Sequence, residues 1–422
     1  MHIYFSGIGG VGIGPLALLA LDAGYTVSGS DLAESDMTIL VADRGANIHI
    51  GQELKDISKI HSTTPIDWFV YSAALKDDHA ELSFARNQNI RLSKRAEFLN
   101  TLLKNLNLKL VAVSGTHGKT TTTGMLVWLF KQLGKPISYS VGTTLSFGPP
   151  AQYVKGSAYF VYECDEFDRN LLEFHPELSI ITALDYDHPD TYPTEQEYIE
   201  AFRTFCQQSE LTITWDTLVE KIGGDARFFA LSEDQLFDHV KLPGLHNRRN
   251  AWLACTAMNR LGIVANDLKD WEKLLKLVSD FPGSSRRFEK IAENIYTDYA
   301  HHPVEITATI AAAKELKKNV VVVYQPHQNI RQHELQKENA YTHCFDGITK
   351  LYWLPTYLSR EDKNSPVLSA KQLSSQVADI EVEVAEMNSV LAEKIVHHTK
   401  EGGVVIAMSA GDLDGWLRKI VS

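Results

Sequence analysis

Residues 111–121 read Val-Ala-Val-Ser-Gly-Thr-His-Gly-Lys-Thr-Thr, and they constrain the fold more than any other stretch. An apolar strand runs straight into a tight glycine loop, and a lysine with hydroxyls then opens a helix. Backbone N–H groups at Gly115, Thr116, His117, Gly118 and Lys119 are expected to converge on phosphate oxygens, where the dipole of the following helix favours negative charge. Lys119 then reaches the β and γ phosphates, and Thr120, with Thr121 beside it, offers a hydroxyl to Mg²⁺. Lysine and threonines are poor choices for a merely tight turn. The segment is therefore read as an ATP-binding loop. The general pattern fits only from Ser114 onward, because Val113 stands where an upstream glycine is usual.

A chain of 422 residues is too long for one core and predicts two or three domains. The first block opens with a strand over 2–6, then Gly7-Ile-Gly-Gly-Val-Gly12, a helical run over 16–21 and a strand from Tyr25 that ends at Asp31. That is a βαβ layout for a phosphate-bearing ligand, with Gly9, Gly10, Val11 and Gly12 in the loop and an acid about 20 positions on. A strand at 68–71 and a helix at 95–103 complete the block, which ends in the polar stretch 104–109. The second block runs from the phosphate loop through short apolar strands at 159–162 and 178–182 to a helix that includes 250–260. A break follows at Phe281-Pro-Gly-Ser-Ser285. The third has a helix near 304–317 and strands at 319–324 and 404–408. Strands alternating with helices throughout predict an α/β protein of three domains, 1–107, 108–282 and 283–422, with mainly parallel sheets.

Acidic residues outnumber basic ones, 53 to 41, for a net charge of −12. This argues against nucleic-acid binding and requires any anionic ligand to find a locally basic pocket. Cys164, Cys206, Cys255 and Cys344 lie far apart, so neither a zinc site nor a disulfide framework is expected. No apolar run approaches the roughly 20 residues of a membrane span, and a cytoplasmic protein without membrane insertion is expected.

Four acids crowd a strand end in Glu163-Cys-Asp-Glu-Phe-Asp168. Carboxylates this close repel one another, and a hard cation such as Mg²⁺ relieves that. Asp185-Tyr-Asp-His-Pro-Asp190 ends the next strand and puts His188 among acids. In Leu245-His-Asn-Arg-Arg-Asn250 the amides of Asn247 and Asn250 are three residues apart, able to face one ligand across a helical turn or to cap the helix. In the third block, Ser285-Arg-Arg-Phe288, Thr297-Asp-Tyr-Ala-His-His-Pro303 and Gln325-Pro-His-Gln-Asn-Ile-Arg331 each combine charge or imidazole with a chain break. Arginine there suits a phosphoryl group or a carboxylate, because its planar fork bonds oxygens bidentately.

Taken in this order, the motifs resemble those of the Mur ligase family, the ATP-dependent amide-forming enzymes of peptidoglycan precursor synthesis. Gly115 to Thr120, Glu163, His188, His246-Asn-x-x-Asn250 and Asp298-Tyr-Ala-His301 match the family's shared positions. Gly7 to Gly12, Val27-Ser-Gly-Ser-Asp31, Tyr71-Ser-Ala-Ala74, Arg95-Ala-Glu97, Glu163-x-Asp-Glu-x-Asp168, His301-His-Pro303 and Gln325-Pro-His327 narrow the likeness to its alanine-adding members. The resemblance implies a Rossmann-like N-terminal domain that binds a UDP-sugar, a central P-loop ATPase domain and a Rossmann-like C-terminal domain that closes over the nucleotide. It implies that Lys119 contacts the ATP phosphates, that Thr120 and Glu163 bind one Mg²⁺ and that His188 helps bind a second. By the same likeness His246, Asn247 and Asn250 serve the nucleotide, with the two asparagines toward adenine, Asp298 toward the ribose and Arg287 toward the γ phosphate. His301 joins the catalytic set. Gly9, Gly10, Val11, Gly12, Asp31, Ser72, Arg95, Tyr299, His327 and Arg331 are assigned to the substrates, UDP-N-acetylmuramate and a small amino acid. The implied reaction passes through an acyl phosphate at the lactyl carboxylate, in a monomer or homodimer.

The chain departs from the alanine-adding pattern at Gln328, where arginine is usual, at Thr297, where an acid is usual, and at Ser409, where glycine is usual. A recycling ligase that joins the same sugar to a preformed tripeptide would share the domains and the ATP chemistry, and Gln325-Pro-His327 argues against it. A catalytically silent nucleotide-binding regulator would not need Lys119, Glu163 and His188.

Overall fold

The computed structural model describes residues 1–72, 75–188, 191–232, 239–358 and 366–421, so Ala73, Ala74, Pro189 and Asp190 of the quoted motifs lie outside the described residues. Three sheets organise the chain. The first holds β1 (His2–Ser6), β2 (Thr26–Asp31), β3 (Asn47–Ile50), β4 (Trp68–Tyr71) and β5 (Arg91–Lys94), all parallel, in the order 3-2-1-4-5. The strand order reverses beside β1, and ligands of open α/β sheets bind at such a reversal, outside the carboxyl ends of the strands. The first glycine loop leaves β1 at that point.

The second sheet holds β6 (Lys109–Ser114), β7 (Ser138–Ser140), β8 (Ala151–Gln152), β9 (Tyr159–Glu163), β10 (Leu178–Ile181), β11 (Leu211–Trp215) and β12 (Phe228–Leu231), in the order 12-11-10-6-9-7-8. Here β6 sits between β10 and β9, so the phosphate loop at its end is flanked by the two acid-rich strand ends. The third sheet holds β13 (Glu289–Ala292), β14 (Ile295–Asp298), β15 (Val320–Gln325), β16 (Lys350–Trp353), β17 (Val382–Val384) and β18 (Val404–Ser409), in the order 13-14-18-15-16-17. Two pairs, β7–β8 and β13–β14, are antiparallel. For β13–β14 the reason is the connection, since a parallel return needs a crossover of about a dozen residues or more. Only Glu293 and Asn294 join those strands, and Asn294 takes the left-handed backbone that such a turn demands.

The chain divides into two compact units, residues 1–236 with 250–281, and 237–249 with 282–422. In the first unit one apolar core runs from the first sheet to the second, with Leu18 and Leu19 of the helix Gly14–Asp22 and Phe98 and Leu102 of the helix Arg95–Asn105 in the same cluster as Ala112, Phe160 and Tyr162. Pro15 suits the start of the first of these helices, where its missing N–H is no loss. In the second unit β15 alternates by the period of a strand: Val320, Val322 and Tyr324 meet Ile306 and Ile310 on one face, and Val321 and Val323 meet Leu391 and Leu417 on the other. The four cysteines are buried free thiols. Among the described residues no helix is long and apolar enough to cross a membrane.

Candidate functional site

The phosphate loop is fastened to the end of β10. Thr116 N donates to Ala183 O at 3.1 Å, and Thr116 Oγ1 donates to Asp185 O at 2.7 Å while accepting from Asp185 N at 2.9 Å. The Thr116 amide, expected to face phosphate, is therefore spent on the scaffold. Gly115 has φ of 125°, and a Cβ there would stand 2.7 Å from Ala183 O and 2.9 Å from Ala183 N, so the close approach of two backbones demands glycine. Gly118, at φ of 84°, starts the helix Lys119–Gln132, and Asn250 lies against it: a Cβ on Gly118 would be 2.6 Å from Asn250 Oδ1.

Lys119 folds back over this loop. Its Nζ donates to Thr116 O at 3.2 Å and to Glu166 Oε1 at 3.0 Å. Burial works against the ammonium, but the charge and hydrogen bond of Glu166, with Glu163 and Asp165 behind it, outweigh burial and raise the Lys119 pKa. Next to it, Thr120 Oγ1 donates to Glu163 Oε1 at 2.7 Å, and Gly142 N donates to Glu163 Oε2 at 2.7 Å. His188 does not join that pair. It has a left-handed backbone, and its Nε2 is 3.7 Å from Glu166 Oε1. Thr120 and Glu163, expected at one Mg²⁺, thus form one pair, and His188, expected at a second, stands with Glu166 in another. Glu166, one of four acids that spacing alone does not tell apart, is the carboxylate that meets both Lys119 and His188.

The first glycine loop is held largely by its own bonds. Gly7 N and Ile8 N donate to Ser30 O, Gly10 N donates to Gly7 O, and Gly9 N donates to Asp31 Oδ2 at 2.8 Å. Gly9 and Gly10 thus have no amide to offer a ligand, and Asp31 shapes the loop through Gly9. Val11 and Gly12 have amides without a hydrogen bond among the described residues, and Val11 is 79% exposed. Arg95 lies against this end of the loop, since a Cβ on Gly12 would be 3.1 Å from its Nη1, and it donates to Asp165 Oδ1 at 3.0 Å. Gly12, Arg95, Gly142, Glu163 and Asp165 line one cleft of about 120 Å³, which joins the first glycine loop to the Thr120–Glu163 pair. Ser72 is partly buried at the end of β4.

In the second unit the helix Leu245–Arg260 begins at Leu245, which puts Asn247 inside the first turn and removes the capping alternative. Its Nδ2 donates to Pro243 O at 2.8 Å. Near β14, the guanidinium carbons of Arg286 and Arg287 each stand 4.9 Å from the Tyr299 ring centroid. Arg286, the other arginine of the Ser285–Phe288 motif, also donates to Ser409 O at 2.6 Å and Gly411 O at 3.0 Å. Asp298, expected at a ribose, accepts from Phe288 N, Ala300 N and Thr309 Oγ1. Burial raises its pKa against the pull of Arg287, and the carboxylate organises the strand end from inside. His301 stands 6.0 Å edge-to-face from His327, which stacks on Tyr357 at 5.9 Å. Arg331 donates to Glu334 at 2.6 Å and reaches His302 Nε2 at 3.3 Å. Gln328 begins the helix Asn329–Lys337 from a left-handed backbone at φ of 59°. The serine at 409 has a clear task, as its Oγ donates to Gln325 Oε1 and accepts from Gly411 N, both at 2.7 Å.

Desolvation lowers the pKa of His327 to about 4, helped by His301 and Arg286, and that of His246 to about 4 against the pull of Glu315. Both rings are neutral in the folded protein near pH 7, whereas in the unfolded chain they bind a proton below about 6.5. The unfolded state therefore binds more protons between those values, and stability falls as pH drops through that window. His246→Gln is expected to flatten this dependence by about 1.4 kcal/mol per pH unit relative to the parent. Urea unfolding at pH 7, 6 and 5 checks it: a parent–variant difference that stays constant removes the assignment.

Three family models match in chain order: Mur ligase family, catalytic domain, over residues 2–106; Mur ligase middle domain over 113–217; and Mur ligase, glutamate ligase domain, over 286–411. The UDP-N-acetylmuramate–L-alanine ligase of Clostridium botulinum is 31% identical, with 98% of this chain and 95% of that protein covered. That of Caldicellulosiruptor bescii is 29% identical over 97% and 96%. Among solved structures, UDP-N-acetylmuramate-alanine ligase from Thermotoga maritima superposes with a TM-score of 0.76 at 25% identity, over 100% of this chain and 98% of that one. A murein peptide ligase from Psychrobacter arcticus shares the fold, with a TM-score of 0.64 at 22% identity over 100% and 98%. With the three domain models in order and a relative of this identity along almost its whole length, the chain belongs to the Mur ligase family.

Proposed function

We propose that the protein joins L-alanine to the lactyl carboxylate of UDP-N-acetylmuramate, using ATP to activate the carboxylate as an acyl phosphate. The observation that carries this reading is the cleft in which the end of the first glycine loop, Arg95 and the Thr120–Glu163 pair meet. A sugar diphosphate on the Val11 and Gly12 amides places its carboxylate arm toward the phosphate loop, where Arg95 can hold it by a bidentate contact. Lys119 offsets charge on the transferring γ phosphoryl, and the loop amides after Thr116 orient the phosphates. Thr120 and Glu163 fit Mg²⁺, because they present oxygen donors of the kind this ion takes while keeping several waters. When bound there it would supply charge neutralisation at the phosphoryl oxygens. We assign His301, His327 and Arg331 to the amino acid, and Arg287 and Tyr299 to the reacting phosphoryl and carboxylate groups.

The test incubates the protein with UDP-N-acetylmuramate, ATP, Mg²⁺ and either L-alanine, glycine, L-serine or the tripeptide, and reads phosphate release and product mass. The expected product is the L-alanyl adduct, and Glu163→Gln should raise the Mg²⁺ concentration for half-maximal rate. Product with the tripeptide alone would assign the recycling reaction instead, and no phosphate release with any amine would overturn ligase activity.

A further inference from the structure

Glu81, in the first turn of the helix Ala80–Asn87, is fully buried and belongs to none of the motifs above. Its carboxylate makes no ion pair among the described residues. It accepts instead from three hydroxyls on two strands: Tyr4 Oη at 2.6 Å, Ser6 Oγ at 2.6 Å and Ser30 Oγ at 2.9 Å. A buried carboxylate without a cation is unfavourable unless such donors compensate it, so a sheet that carries one needs what it organises. What it organises is the root of the first glycine loop. Ser6 is the last residue of β1 before Gly7, Ser30 O accepts the amides of Gly7 and Ile8, and the neighbouring Asp31 accepts that of Gly9.

We propose that Glu81 is a positioning residue for the diphosphate of the UDP-sugar, acting through Ser6 and Ser30 on the loop that presents the Val11 and Gly12 amides. This rests on the UDP-sugar reading of that loop. A carboxylate accepts from all three donors at once, while a glutamine must turn an N–H₂ toward either the tyrosine or the two serines, whose hydroxyls must then accept where they now donate. Glu81 touches no reacting atom, so its effect falls on one substrate.

Steady-state kinetics and thermal unfolding of the parent, Glu81→Gln and Ser30→Ala test this. The expected result is a KM for UDP-N-acetylmuramate raised about tenfold in Glu81→Gln and about threefold in Ser30→Ala, with KM for ATP within about twofold of the parent. A lower Tm with both KM values unmoved, or a parallel rise in both, would make Glu81 a purely structural residue and overturn the proposal. If Glu81→Gln shows no cooperative unfolding, Ser30→Ala decides: an unmoved sugar KM there overturns it. A parent that neither turns over UDP-N-acetylmuramate nor is thermally protected by it fails the reading of the loop itself, whereas a responsive parent with unmoved variants fails the proposal alone.

Discussion

Lys119→Ala is expected to lower kcat by on the order of 10² or more, as loss of a preorganised charge at a developing anion does. The structure adds a second effect. Glu166 is 1% exposed, and without Lys119 its carboxylate is left buried without its principal cation. Removing one partner of a buried pair costs about 3–5 kcal/mol, so the single variant should also melt early. Lys119→Ala/Glu166→Gln separates the two roles. Neutralising the orphaned carboxylate should restore much of the Tm and none of the turnover. Calorimetry and phosphate release on the same preparations check this, and recovery of both together would show that Lys119 acts on the fold alone.

Gly115→Ala should be comparably damaging for a different reason. The substitution meets two fixed backbone atoms of Ala183 and a left-handed φ, and backbone strain of this kind costs about 1–3 kcal/mol before any clash is relieved. Relief comes by shifting the loop, and a displacement of roughly 1 Å at a reacting centre is worth about 10² in rate. Gly134→Ala is the matched control, with φ of 65° and nothing within 4 Å of the added methyl. It should lose only the stability that its backbone strain implies. Equal turnover in the two variants would mean that the loop's close approach to Ala183 is not needed for catalysis.

The legible part of this protein was local. Strand β4 coincides with the apolar run 68–71, and both glycine loops stand where strand, turn and helix residues follow one another directly. What could not be read depends on which backbone amide a side chain meets after folding. Asp31 was assigned to a ligand from its place about 20 positions after the glycine loop and Asp298 from the resemblance, yet both accept backbone amides of the protein itself. The same holds for Ser409, a departure from the family pattern that the Gln325 amide explains. Glu166 and Glu163 are three positions apart and chemically identical, and only the pairing of β9 beside β6 gives one to Lys119 and the other to Thr120.

Each sheet is closed from an uninterrupted stretch of chain: 2–94, 109–231 and 289–409. A ribosome therefore delivers all strands of one sheet before starting the next. The apolar core, however, is not partitioned so neatly, because Leu18, Leu19, Phe98 and Leu102 share their cluster with residues as late as Ile222. The newborn first sheet has to wait for its cover. At about 5–20 residues per second, the next hundred or so residues take roughly 5–20 s to appear. That interval is when the nascent chain exposes its most apolar helix, Gly14–Asp22, and when a chaperone that binds apolar segments has the most to hold.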